Sequence, residues 1–194
     1  MQLFSRPEPL PDPLPAVQEK ARLDCLDRLD IVGAPGDPAI ENLVECVARF
    51  FRVPMVMVSM VDQDKQWIKA RFGLDTTETD RSDSICQYTI AQSGLFVVRD
   101  THEHAEFRSC PMVAGYPFVR FYAGSPVIVQ GQHAVGALCI LDRKPHAVGE
   151  KELRWLRHFS SILSQMIEIN YLVNEDRLIQ RYAPQRRSFG CRVS

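Results

Sequence analysis

The chain has 194 residues, 45% of them hydrophobic and 24% charged, with 23 basic and 24 acidic side chains. This is the composition of one soluble globular domain that can build its own core, and its near-neutral charge argues against nucleic acid or an anionic membrane as the main partner. The start of the chain is punctuated by Pro7, Pro9, Pro11, Pro13 and Pro15 and lacks the apolar run of a signal peptide, and no stretch approaches the ~18 apolar residues of a membrane span, so a cytoplasmic address is expected.

Residues 1–15 read as an extended or disordered proline-rich arm. From 16 to about 31 the pattern is helical, with Leu23, Leu26 and Leu29 recurring among charged residues. Gly33-Ala34-Pro35-Gly36 breaks it. Asp37-Pro38 then reads as an N-cap followed by proline at the first helical position. Behind that cap, Ile40, Leu43, Val44, Val47, Phe50 and Phe51 mark one face of a second helix ending near Arg52.

A strand over 54–61 and another over 66–72 flank the turn Asp62-Gln63-Asp64, which predicts a hairpin. The first strand is apolar at almost every position and should be covered on both faces. A short helix is expected over 82–91 and a brief strand at 96–98. Residues 101–119, which include Pro111, Gly115 and Pro117, read as a long irregular loop of the kind that carries function. Two long strands, 120–129 and 133–141, turn at Gln130-Gly131-Gln132. A helix from 149 to about 180 follows, and an arginine-bearing tail, 181–194, is expected to be flexible.

Hairpins make the sheet antiparallel. The fold class is therefore α+β: a central antiparallel sheet with the N- and C-terminal helices on one face, and the short helix and long loop on the other, where a ligand cavity fits. The domain proper spans 16–180. The six cysteines, Cys25, Cys46, Cys86, Cys110, Cys139 and Cys191, are scattered without a CxxC pair, so neither a zinc site nor a disulfide framework is signalled.

Several strings in this order resemble the GAF family. They are Arg22-Leu23-Asp24 with Leu29-Asp30-Ile31, Val58-Ser59-Met60-Val61-Asp62, Gln66-Trp67-Ile68-Lys69-Ala70, Ser84-Ile85-Cys86, Arg120-Phe121-Tyr122-Ala123-Gly124-Ser125-Pro126, and Gly136-Ala137-Leu138-Cys139-Ile140-Leu141-Asp142. Together they cover roughly residues 20–168 and look most like the bacterial GAF subgroup found alone or ahead of signalling enzymes. The resemblance implies a module that binds a small molecule, or an interface, and relays its state through the terminal helices. The chain departs from the subgroup at Tyr88, where histidine is usual, and at Cys110, where asparagine is usual. The Asn-Lys and Asp-Glu elements of cyclic-nucleotide-binding members are absent, and Cys86 is followed by Gln87 rather than the histidine of bilin-binding members.

The expected ligand-binding set is Trp67, Ser84, Cys86, Tyr88, Asp100, Phe107, Arg120, Tyr122 and Cys139. Cys86, near a helix N-terminus, is placed for a lowered thiol pKa, which Asp80 and Asp83 oppose. Alternation sends Arg120 and Tyr122 to one side of their strand and Phe121 to the other. Arg120 suits a carboxylate or phosphate held bidentately, or a salt bridge to Asp100 or Asp142. Trp67 suits a pocket wall or the cover of an edge strand, with Lys69 on the same face. His102-Glu103-His104 lacks a third and fourth metal ligand, and no cofactor follows from the sequence.

In the last helix, Leu156, Phe159, Leu163, Met166, Asn170 and Val173 follow heptad spacing, which predicts a homodimer through the terminal helices. The expected function is a non-enzymatic sensor that takes a small molecule with an anionic or polar end and signals to a separate partner protein. The alternatives are a thiol-dependent GAF enzyme, such as a methionine sulfoxide reductase using Cys86 and Cys110, and a ligand-free assembly module.

Overall fold

The computed structural model describes residues 9–33 and 36–182, with side chains through residue 174. The first eight residues of the predicted arm, and the predicted tail from 183 onward with Cys191, lie outside the described residues. The described part of the arm has no regular structure, and Leu10 packs against the core.

Two helices open the domain, α1 (Ala16–Leu29) and α2 (Pro38–Phe51). The Asp37 carboxylate accepts a hydrogen bond from Ala39 N at 2.8 Å and Pro38 occupies the first turn, as the sequence predicts. Strands β1 (Met55–Val61) and β2 (Lys65–Phe72) form the expected hairpin, and β1 is buried along its whole length. After α3 (Cys86–Ile90) come β4 (Phe96–Val98), α4 (Ala105–Arg108), α5 (Pro111–Ala114), β5 (Phe121–Val129), β6 (His133–Asp142) and α6 (Glu150–Tyr182). A short β3 (Glu78–Asp80) precedes α3, and the antiparallel sheet has the order β3-β2-β1-β6-β5-β4.

Alternation along the central strands sorts the core into two layers. Val56, Val58, Met60, Phe121, Ala123, Leu138 and Ile140 pack beneath α1, α2 and α6, where Leu26, Val44, Leu156 and Leu163 meet them. Met55, Met57, Tyr122, Ala137, Cys139 and Leu141 face the opposite way, under Ile85, Cys86, Ile90, Phe96 and Phe107. The strands meet closely enough that a side chain at Gly136 would stand 1.9 Å from the Ser59 carbonyl oxygen.

Four features differ from the sequence reading. The three residues of β3 pair with β2, so the strand carrying Trp67 is not an edge. A bulge pairs Val58 with Ala70 and Ser59 with Ile68, leaving Lys69 as the extra residue. The predicted helix over 82–91 is a 3-10 turn, Arg81–Asp83, and then α3; extended Ser84 separates them and its Oγ accepts from Cys86 N at 3.1 Å. The loop 101–119 is built from short helical turns (Thr101–Glu103, α4, α5) that satisfy their own backbone groups.

The outcome on α6 changes which residues are available to a partner. Leu156 and Leu163, two of the predicted heptad positions, are fully buried against the chain's own sheet, together with Ser160, Ser164 and Ile167. Ser160 donates to the Pro126 carbonyl at 2.6 Å, and Ser164 accepts from Ile128 N at 3.1 Å, so this face is anchored to β5. Asn170 donates to Asp37 of the same chain at 2.5 Å instead of occupying an inner position. The exposed apolar residues are Trp155, Ile162, Ile169, Leu172 and Val173, with Phe50 of α2 against Trp155 at a ring separation of 5.5 Å.

Candidate functional site

The space expected to hold a ligand, between the sheet and the 82–119 segment, is packed with side chains. Phe96, Phe107, Tyr88 and Tyr122 meet there through ring contacts of 5.5–6.2 Å. Phe107, Cys86, Tyr122 and Cys139 are at most 1% exposed.

At the centre stands the Tyr122 hydroxyl. It lies 2.6 Å from Thr89 Oγ1, 3.1 Å from Cys139 Sγ and 3.4 Å from Cys86 Sγ. The two sulfurs are 3.3 Å apart. Gly124, the β5 residue opposite Cys139, makes room: a Cβ there would stand 2.3 Å from the tyrosine oxygen and 2.6 Å from Thr89 Oγ1. Ser84, whose Oγ donates to the Gln66 side chain, completes the wall. Ser59 Oγ is buried beside Cys86.

Burial pushes the Cys86 thiol up, but donors converging on its sulfur, led by Cys139, outweigh this and draw it down to about 7. Cys139 moves the other way, raised well above the usual thiol range by burial and by its hydrogen bond to Cys86. Tyr122 is raised by burial and by the facing sulfurs. Of the two thiols, Cys86 is therefore the one drawn toward ionisation.

Of the predicted ligand set, the fold brings together Ser84, Cys86, Tyr88, Phe107, Tyr122 and Cys139. Trp67 is not with them. It pairs with Met60 and faces the helix-side layer, where it borders a 300 Å³ hollow with Ile31, Glu41 and Lys69. The hairpin register sets this: Trp67 stands opposite Met60, whose side chain belongs to the helix-side layer, and directly opposed residues share a face. The Lys69 ammonium donates to the Ile31 carbonyl at 3.4 Å. Cys110, considered as a partner for Cys86, instead donates to the Glu106 carbonyl at 3.7 Å, and burial raises its pKa.

Asp100 and Arg120 stand outside the buried cluster, joined by two hydrogen bonds: Nε to Oδ1 at 2.8 Å and Nη2 to Oδ2 at 2.6 Å. Of the two readings for Arg120, the structure contains the salt bridge to Asp100, and that guanidinium holds the Asp100 carboxyl below its usual range. Beyond the pair opens a cleft of about 680 Å³ lined by His102, Arg108, Val113, Ala114, Phe118, Arg120 and Arg143. Arg108 Nε donates to the His102 carbonyl at 2.6 Å, and Arg143 Nε to the Pro117 carbonyl at 3.0 Å. These bonds orient both guanidiniums, and the Arg143 guanidinium also stacks over the Tyr116 ring, 5.6 Å from its centre.

Phe118, at φ +62° and 55% exposed, stands at the same rim. A bulky residue in that backbone region is unusual and marks a locally constrained segment. Sequence reasoning missed Arg108, Phe118 and Arg143 because they converge from three separate segments. Among the described residues, no cluster of three or more His, Cys, Asp or Glu could hold a metal ion, and no helix is long and apolar enough to cross a membrane.

The family description "GAF domain" matches residues 36–167, most of the sheet and its helices. The chain belongs to the GAF domain family. Over 150 residues, 77% of its length, this GAF chain is 33% identical to a cyclic di-GMP phosphodiesterase of Pseudomonas aeruginosa, and it spans about a quarter of that protein, 26%. Among solved structures it is similar to the GAF domain of an Acinetobacter phosphoenolpyruvate-protein phosphotransferase (TM-score 0.59, 15% identity, covering 84% of this chain and 99% of that one). It is also similar to a free methionine-R-sulfoxide reductase of Neisseria meningitidis (TM-score 0.56, 19% identity, 78% and 84%). At such identities the two structures establish the shared fold.

Proposed function

We propose that this GAF module is regulatory rather than catalytic, that it takes a small anionic ligand in the arginine-lined cleft, and that α6 carries the change to a second copy and to a partner protein. The cleft carries the reading: three guanidiniums and an imidazole surround about 680 Å³ beside an exposed aromatic ring, against the carboxylates of Asp100 and Glu103 that act on Arg120. Planar guanidinium groups bind phosphate and carboxylate through paired hydrogen bonds. The ligand expected at the sheet face is thereby moved outward to the rim of the 101–119 segment. The relative named as a cyclic di-GMP phosphodiesterase suggests the setting, control of cyclic-dinucleotide signalling by an attached or separate protein.

The second copy fits the outer face of α6. Trp155, Ile162 and Ile169 recur every seven residues, with Val173 and Phe50 alongside, and all are at least 42% exposed. The sulfoxide-reductase alternative needs a substrate at the Cys86 sulfur, which is completely buried.

Thermal denaturation with inorganic phosphate and a panel of mono- and dinucleotides tests the cleft. A saturating rise in Tm is expected, with affinity roughly 10- to 150-fold weaker in Arg108→Ala or Arg143→Ala, since one charge-assisted bond contributes about 1.5–3 kcal/mol. No rise with any of these anions, or a rise indifferent to both substitutions, refutes it. Sedimentation tests α6: Ile162→Glu with Ile169→Glu should turn a dimer into a monomer, and a wild type that is already monomeric at high concentration sinks the dimer.

A further inference from the structure

Two thiols lying 3.3 Å apart in a sealed core have a chemistry of their own, independent of the cleft. Cys139 sits in the middle of β6, held between β1 and β5 by pairing with Met57 and Gly124. Cys86 opens α3, a helix of only five residues set in loops. One sulfur is therefore held in the sheet, and a disulfide of ~2.05 Å needs the other to close by a little over 1 Å. The sulfurs touch directly, with the Tyr122 hydroxyl beside them at 3.1 and 3.4 Å. The remaining described thiols lack such a neighbour: Cys46 is exposed, Cys110 is bonded to a carbonyl, and Cys25 lies in the helix-side layer.

We propose that Cys86 and Cys139 form a reversible disulfide in response to a peroxide-class oxidant, so that the interior of this GAF domain is a redox modification site.

The Cys86 sulfur, having given up its proton, attacks one peroxide oxygen. The O–O bond breaks, and the departing hydroxide takes up that proton, leaving Cys86 as sulfenic acid and one water. The Cys139 sulfur then attacks the Cys86 sulfur; the S–O bond breaks, the S–S bond forms, and hydroxide leaves with the Cys139 proton as a second water. Two thiols lose two electrons and the peroxide gains them. Tyr122 contacts both sulfurs and Thr89, so it can donate to the Cys86 sulfur while accepting from Thr89, which orients the nucleophile. Because both sulfurs are buried, the oxidant must be small and must enter as α3 opens. Closing the bond ties α3 to the central sheet and displaces the tyrosine hydroxyl from between its partners.

The test uses the full chain, reduced, freed of reductant, treated with hydrogen peroxide, then unfolded in an alkylating agent and digested without reductant. Peptides containing Cys86 and Cys139 should appear linked, lighter by two hydrogens than their sum, and separable by dithiothreitol. The link should persist in Cys110→Ser and vanish in Cys139→Ser, where Cys86 should instead accumulate as sulfenic or sulfinic acid. Exposed Cys46 reports that the peroxide was active. Cys86 linked to another cysteine, sulfinate at Cys86 in the wild type without a link, or both thiols intact while Cys46 is oxidised would each overturn the proposal.

Discussion

Replacing Glu19 by Gln removes the charge from a buried ionic knot that joins α1 to the first hairpin. Arg22, only 2% exposed, gives Nε and Nη2 to the two Glu19 oxygens at 2.9 and 2.8 Å and Nη1 to the Val61 carbonyl at 2.5 Å. Arg81 reaches the same carboxylate at 2.6 Å and the Asp62 carbonyl at 3.1 Å. Burial alone would raise the Glu19 pKa, but hydrogen bonds from Arg22 and Arg81 win and lower it from 4.5 to about 2. That fall corresponds to about 3 kcal/mol of stability at about 1.36 kcal/mol per pKa unit, an upper bound because a fifth of the Glu19 side chain meets water. The figure agrees with the ~3–5 kcal/mol typical when one partner of a buried pair is removed and the other charge is stranded. The folded-state pKa is depressed, so this stability is fully present above about 4.5 and is lost as pH falls toward 2. Urea unfolding of wild type and Glu19→Gln at pH 7 and at pH 2.5 gives a double difference that cancels the other carboxylates. The gap should be about 3 kcal/mol at pH 7 and should shrink at pH 2.5. A gap below about 1 kcal/mol at pH 7, or one that does not change with pH, refutes the reasoning.

Gly124→Ala should destabilise the fold by about 1–3 kcal/mol in chemical denaturation, since its Cβ would fall 2.3 Å from the Tyr122 oxygen in a full core; an unchanged midpoint would mean that Tyr122 moves freely. Asp100→Asn breaks the forked bond to Arg120, and amide exchange over 101–119 should quicken several-fold, with about 1 kcal/mol lost globally. Because the Asp100 pKa is depressed, the same quickening should appear in the wild type as pH falls below the usual carboxylate range, and should be absent from the variant.

Local patterns carried much of the architecture. Asp37-Pro38 announced the start of α2 because capping is a matter of adjacent atoms. The unbroken apolar run of β1 announced burial on both faces, and the hairpin turns fixed the antiparallel sheet. Ordered family strings made the domain recognisable, although none of them located the ligand. The three-residue β3 was not legible, since so short a segment becomes a strand only when β2 offers it a partner. Nor was the face of Trp67, because alternation within β2 does not say which face is covered by helices until the register with β1 sets Trp67 opposite Met60. The heptad spacing of α6 was real, but two periodic stripes share that helix. Only packing could decide that Leu156 and Leu163 serve the chain's own sheet while Ile162 and Ile169 face outward.

The site divides in the same way. The sequence supplied Cys86, Tyr122 and Cys139 as separate candidates on three elements. Residues 86 and 139 are distant along the chain, and only the antiparallel register of β5 and β6, with α3 folded across them, sets their sulfurs in contact. The arginines of the cleft likewise come from α4, from the entry to β5 and from the exit of β6. Sequence periodicity reports which face a residue lies on within its own element, whereas a site assembled from several elements exists only after long-range pairing has chosen their register.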